Sequence, residues 1–143
     1  MIFTDASFLV SYFAGAEHAA DAKAWWRKTN AVLTASRLVL FEAENSIRTL
    51  PLSGKINRAT ARWAIEQMKR FTMEGFIEVR ELSNKRVYPA AQRLSVHYCE
   101  DRSFGAMDIV HIATAQELAA RGFLSFDDRQ RELAEAEGMQ VMP

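Results

Sequence analysis

The chain has 143 residues, 49% of them hydrophobic and 25% charged, with 18 basic residues balanced by 18 acidic ones. Those proportions exclude a disordered or fibrous chain, and the cancelled charge excludes a bulk electrostatic attraction to nucleic acid or membrane. A single cysteine, Cys99, excludes an internal disulfide and a thiolate metal cluster.

The length suits one domain, residues 1–143, around one core. No apolar run approaches the roughly 18 residues needed to cross a bilayer. Asp5 interrupts the apolar start where a signal peptide would need continuity, so a soluble cytoplasmic protein is expected.

Ile2 and Phe3 begin a short apolar strand that Asp5-Ala6-Ser7 ends, and a helix follows to about Ala14 before Gly15. Glu17 to Lys28 reads as a second helix and Ala31 to Thr34 as a second strand. Ser36 is placed to cap a helix running to Leu50, which Pro51 and Gly54 stop. Ile56, Ala59, Trp63, Gln67 and Phe71 recur at helical spacing, predicting a helix over 56–73 with those residues inward.

Phe76 to Val79 is a third strand, and Asn84 to Tyr98 is helical with Pro89 in its early turns. Gly105 opens an alanine-rich helix over 106–120 that Gly122 closes. Phe123 to Phe126, Asp128 to Glu137 and Met139 to Val141 read as strand, helix and strand. Short apolar strands alternating with helices predict an α/β fold, a mainly parallel sheet covered on both faces.

Four acids fall at expected sheet edges or helix starts: Asp5, Glu42, Asp108 and Asp127. Each also has a plain structural reading. Asp5 can cap the helix after it, Asp127 can cap with Gln130 closing a capping box, and Asp108 can complement a helix dipole. Asp128 is expected to be exposed or to share the capping role. Glu42 and Glu44 point about 200° apart on a helix, and both flank the apolar stripe Val39, Ala43, Ile47 and Leu50, so geometry leaves the choice open. Glu44 has Arg48 four residues on, whereas Glu42 has Asn45 and no local cation, which favours Glu42 for chemistry. Converging carboxylates repel one another unless a hard divalent cation compensates them. Mg²⁺ or Mn²⁺ accepts such oxygen ligands.

The chain resembles the PIN-domain ribonucleases, particularly the VapC-like toxins of type II toxin–antitoxin modules. The resemblance runs through Phe3-Thr4-Asp5-Ala6-Ser7, Thr34 to Asn45 around Glu42, Met107 to Ala115 around Asp108, Phe123 to Gln130 around Asp127, and Gly138 to Val141. It implies a three-layer fold with about five strands. It also implies an acidic site of Asp5, Glu42, Asp108 and Asp127, with Asp5 and Asp108 as direct Mg²⁺ ligands, and it settles the choice of glutamate on Glu42. Ser7 and Ser125 match supporting hydroxyl positions, and Asn45 and Asp128 complete the supporting set. Ala6 departs from the family's common Thr, which affects a hydrogen bond and no ligand.

The implied activity is metal-dependent RNA hydrolysis leaving 3′-hydroxyl and 5′-phosphate ends, by a homodimer that an antitoxin inhibits. A housekeeping RNA-processing nuclease and a catalytically silent binding module are the alternatives. His111 is expected to be a packed or hydrogen-bonded core histidine, because a hard cation prefers oxygen. His18 and His97 have no supporting pattern. Lys55, Arg58, Arg62 and Lys69 form a basic stripe that fits a solvated face or a phosphate backbone equally. Trp25, Trp26 and Trp63 are expected in the core or a dimer interface.

Overall fold

Strands of three residues suffice here because each lies between neighbours in a parallel sheet or closes its edge. In the computed structural model, which describes residues 1–143, these are β1 (Ile2–Thr4), β2 (Leu33–Ala35), β3 (Ile77–Val79), β4 (Gly122–Leu124) and β5 (Gln140–Met142). The helices are α1 (Ala6–Ala14), α2 (Ala19–Thr29), α3 (Arg37–Thr49), α4 (Arg58–Met73), α5 (Asn84–Tyr98), α6 (Ala106–Glu117) and α7 (Asp128–Ala136), with a short 3-10 turn at Leu50–Ser53.

All four strand pairings are parallel, in the order β3-β2-β1-β4-β5. The chain therefore steps one way from β1 to β3, then jumps back across the sheet to β4 and continues to β5. Right-handed crossovers put the helices of the two legs on opposite faces. The packing agrees: α1 meets α2, α3 and α4, while α6 meets α5 and α7. The reversal leaves β1 and β4 side by side as the switch point, where an open sheet parts at its carboxyl edge.

The central strands are buried, as a covered parallel sheet requires. Phe3 and Phe123 sit in register, both fully buried, with ring centroids 6.1 Å apart. Val39, Ala43 and Ile47 of α3 are fully buried, so its apolar stripe faces inward as the spacing predicts. Local chemistry starts the helices: Ser36 Oγ accepts from the Val39 N–H at 3.2 Å and Asn57 Oδ1 from the Thr60 N–H at 2.8 Å. Glu137 ties the second helical layer together, accepting from the Tyr98 hydroxyl at 2.5 Å and from the Gln116 amide.

Two sequence expectations about packing are corrected. The inward face of α4 is Ala61, Ala64, Ile65 and Met68, and Trp63 is 57% exposed. Small residues let the helices approach, whereas Trp63 and Phe71 instead rim a cavity of about 480 Å³ between α1, α2 and α4, shared with Tyr12, Phe13, Trp26 and Phe76. Gly122 does not close α6, which ends at Glu117, with Ala119 in the left-handed region at φ 55°. Gly122 belongs to β4, where a Cβ would run into Met142 Cε and stand 3.4 Å from Ile2 Cγ1. Elsewhere the boundaries agree or shift by one or two residues, and α5 matches at both ends.

Phe123→Ala is expected to destabilise the chain by about 3–5 kcal/mol, because it empties the centre of the sheet. Urea unfolding should show a lower midpoint at unchanged slope. A variant as stable as the wild type would mean that the neighbouring rings close the gap.

Candidate metal centre

Asp5 follows β1 directly and is 1% exposed. It does cap α1: its Oδ2 accepts from the Ser7 N–H at 2.9 Å. The same oxygen also accepts from Ser125 Oγ at 3.1 Å, across from the loop that follows β4. Since the Ser125 hydrogen is committed to Asp5, the Ser7 hydroxyl donates to Ser125 Oγ at 3.2 Å, and Ser7 Oγ in turn accepts from the Phe126 N–H at 2.9 Å. Ser125 Oγ accepts as well from the Asp127 N–H at 3.0 Å. The hydrogens of this relay all run toward Asp5.

The loop that supplies Ser125 is itself anchored. Phe126 stacks between His18 and Phe8, with centroids at 4.4 and 5.8 Å. Arg131 Nη1 donates to the Ser125 carbonyl at 2.8 Å, and the Ser125 N–H reaches the Met142 carbonyl at 3.0 Å. Asp5 Oδ1, by contrast, is buried with no hydrogen-bond partner.

Glu42 reaches the same place from α3. Its Oε2 lies 2.6 Å from Nε2 of the fully buried His111 on α6, and its side chain is 35% exposed. Glu44, as its local cation predicts, is drawn away to Arg48 at 2.5 Å and stands 3.9 Å from Lys69. One ligating atom each from Asp5, Glu42 and His111 lie within 4.8 Å of one another, close enough to share a divalent cation.

Asp108 and Asp127 stand outside that trio, at the starts of α6 and α7. Asp108 Oδ2 accepts from the Gly105 N–H at 3.0 Å, and a Cβ on Gly105 would come 2.9 Å from that oxygen, so the glycine lets the carboxylate fold back. Asp127 Oδ1 caps α7, accepting from the Arg129 and Gln130 N–H groups at 2.9 and 3.1 Å. The Gln130 side chain does not close the expected capping box. It is 4% exposed and donates instead to Asp108 Oδ1 at 3.2 Å. Asp5, Ser125, Asp127, Gln130 and Asp108 thus form one hydrogen-bonded chain along the carboxyl edge. Asp128 and Asn45 are both exposed, and neither side chain makes a hydrogen bond to these acids.

His111 pairs with Glu42 as a hydrogen-bonded core histidine, the role its sequence context suggested. Gln130 is the residue that sequence reasoning assigned differently. Its signal was an amide standing in the buried stripe of α7 beside Leu133 and Ala134.

The residues present fit a hard divalent cation. Two carboxylates converge, one contributes a buried oxygen that nothing else satisfies, and oxygen donors suit Mg²⁺ or Mn²⁺.

A family model described as PIN domain matches residues 2–136. Among solved structures, a sarcin–ricin loop cleaving toxin of Mycobacterium tuberculosis, VapC20, is similar at 20% identity and TM-score 0.73, over 100% of both chains. PAE2754 of Pyrobaculum aerophilum is similar at 16% identity and TM-score 0.67, over 98% of this chain and 87% of that one. FitAcB of Neisseria gonorrhoeae is similar at 15% identity and TM-score 0.66, over 100% of this chain and 97% of that one. No curated protein matches. The resemblance to the PIN-domain family read from the sequence is shown by the family match, and the solved structures share the fold.

Ser125→Ala is expected to cost about 1–3 kcal/mol, since it strands the Asp127 N–H and removes a donor from Asp5. It should also weaken divalent-cation binding by roughly 10- to 100-fold, because the hydroxyl orients a ligand. Chemical denaturation and calorimetric titration with Mn²⁺ measure the two effects separately.

Proposed function

The chain belongs to the PIN-domain family, and from that premise we propose that residues 1–143 act as one PIN-like nuclease unit, a divalent-metal-dependent endoribonuclease serving as a type II toxin. The observation that carries this reading is the unpartnered, buried Oδ1 of Asp5 beside the Glu42 carboxylate. Asp5 and Glu42 would hold a Mg²⁺ or Mn²⁺ ion, with Asp108 and Asp127 completing the acidic wall. Such an ion supplies charge neutralisation at a phosphodiester and a more acidic bound water.

The chain's own residues set the rest of the site. Ser7 and Ser125 fix the Asp5 carboxylate through Oδ2, so its unpartnered Oδ1 is held in place before anything binds. Gly105 and Gln130 restrain Asp108 from opposite sides. Lys55, Arg58, Arg62 and Lys69 are exposed on and just before α4 and offer cations to an RNA backbone.

Structured ribosomal RNA is the first substrate to assay, because one similar structure is that of a sarcin–ricin loop cleaving toxin. A homodimer, an inhibiting antitoxin and a cytoplasmic location complete the proposal. No helix is long and apolar enough to cross a membrane.

RNA cleavage with Mg²⁺ or Mn²⁺ should fall in Asp5→Asn, Glu42→Gln and Asp108→Asn by at least the ~100-fold that losing a supporting partner can cause. Chelation should abolish it, and added ion at about 100 times its dissociation constant should stabilise the wild type by about 2.7 kcal/mol. Equal cleavage by the wild type and all three variants would sink the site assignment.

A further inference from the structure

Glu42 is the acid with least support from its own helix. Its side chain is hydrogen-bonded to His111, a residue 69 positions away. The chemistry of that contact fixes the direction of the bond. A carboxylate oxygen accepts, so the ring nitrogen 2.6 Å from it carries the hydrogen. The other ring nitrogen, Nδ1, is buried with no partner. A hydrogen there would be a buried donor without an acceptor, which is costly, whereas a bare lone pair is tolerated more readily.

Ligation of a cation by Nε2 would demand the reverse arrangement. Nε2 would surrender its hydrogen, and Nδ1 would hold one with nothing to receive it. Metal-bound histidines nearly always donate their second N–H to an acceptor, and with Nε2 on the cation the Nδ1 hydrogen would find none.

We propose that His111 is a positioning residue for Glu42 and not a third metal ligand. This rests on the nuclease reading of the acidic site. The imidazole, locked in the α6 core at 0% exposure, donates from Nε2 and holds the partly exposed Glu42 carboxylate against Asp5. The cation is thereby left with an oxygen-only donor set, which leaves it free to be Mg²⁺.

The test uses the metal ions alone, without RNA. Two-bond proton–nitrogen correlation spectra of the wild-type chain should show His111 protonated at Nε2 and bare at Nδ1. A hydrogen on Nδ1 would overturn the proposal whether or not the chain is a nuclease. In calorimetric titrations, His111→Leu should weaken Mg²⁺ and Mn²⁺ by the same factor, roughly 10- to 100-fold, while His111→Gln, whose amide nitrogen can replace Nε2 as donor, should lose no more than about threefold. If Gln fails as badly as Leu and Mn²⁺ suffers more than Mg²⁺, His111 is a ligand and the proposal falls. If folded His111→Leu binds both ions as the wild type does, the histidine is only packing. Should His111→Leu not fold, the Gln variant and the ring spectrum decide. Wild type that binds neither ion would remove the nuclease reading while the ring spectrum still judges the pairing.

Discussion

Everything at the carboxyl edge depends on keeping one carboxylate out of water. Burying such a group costs several kcal/mol unless hydrogen bonds replace its hydration. Asp5 obtains one donor locally, from the N–H of Ser7, and the other from Ser125, 120 residues further along. The second donor exists only because β1 and β4 are neighbours, and they are neighbours because the chain reverses its direction across the sheet there. The topological switch and the candidate site are thus one feature. The relay through Ser7 and Ser125 also satisfies the Phe126 and Asp127 N–H groups, so the loop's backbone and the carboxylate are balanced by the same two hydroxyls.

The sequence announced the acids better than it announced how they are held. Asp5 and Asp127 read there as either helix caps or functional groups, and both prove to be caps while standing at the same sheet edge. The two roles were never exclusive, because a carboxylate has more than one oxygen. Glu42 could be preferred over Glu44 from a single local fact, the Arg48 one turn away, and that pair forms. What could not be read was every pairing made across the fold. The spacing of His111 predicts burial but says nothing of Glu42, and Gln130 looked like a cap partner when its amide spans to Asp108. The α4 stripe was misjudged for a related reason. Bulky Trp63 dominates a periodicity argument, yet helices that pack closely choose alanines such as Ala61 and Ala64.

The restraints differ in kind from acid to acid. Asp5 is held by hydroxyls and a backbone amide, Asp108 by a glycine N–H and an amide side chain, and Glu42 by an imidazole. Apart from Gly105, exposed at the start of α6, each donor comes from a residue packed against the sheet or into the helical core. The carboxylates therefore inherit the rigidity of the fold, which is what a constellation needs if its geometry is to be set before anything binds.

The pairing of Ile2 with Gly122 and Thr4 with Leu124 also has a consequence in time. During synthesis the strand that carries Asp5 emerges well before β4, because Ser125 lies 120 residues beyond Asp5. Contacts so distant in sequence form late, after the loop-closure entropy between them has been met. A ribosome engaged in making this protein thus carries a nascent chain in which Asp5 lacks its Ser125 partner. The acidic edge is completed only once β4 and the loop after it have been made.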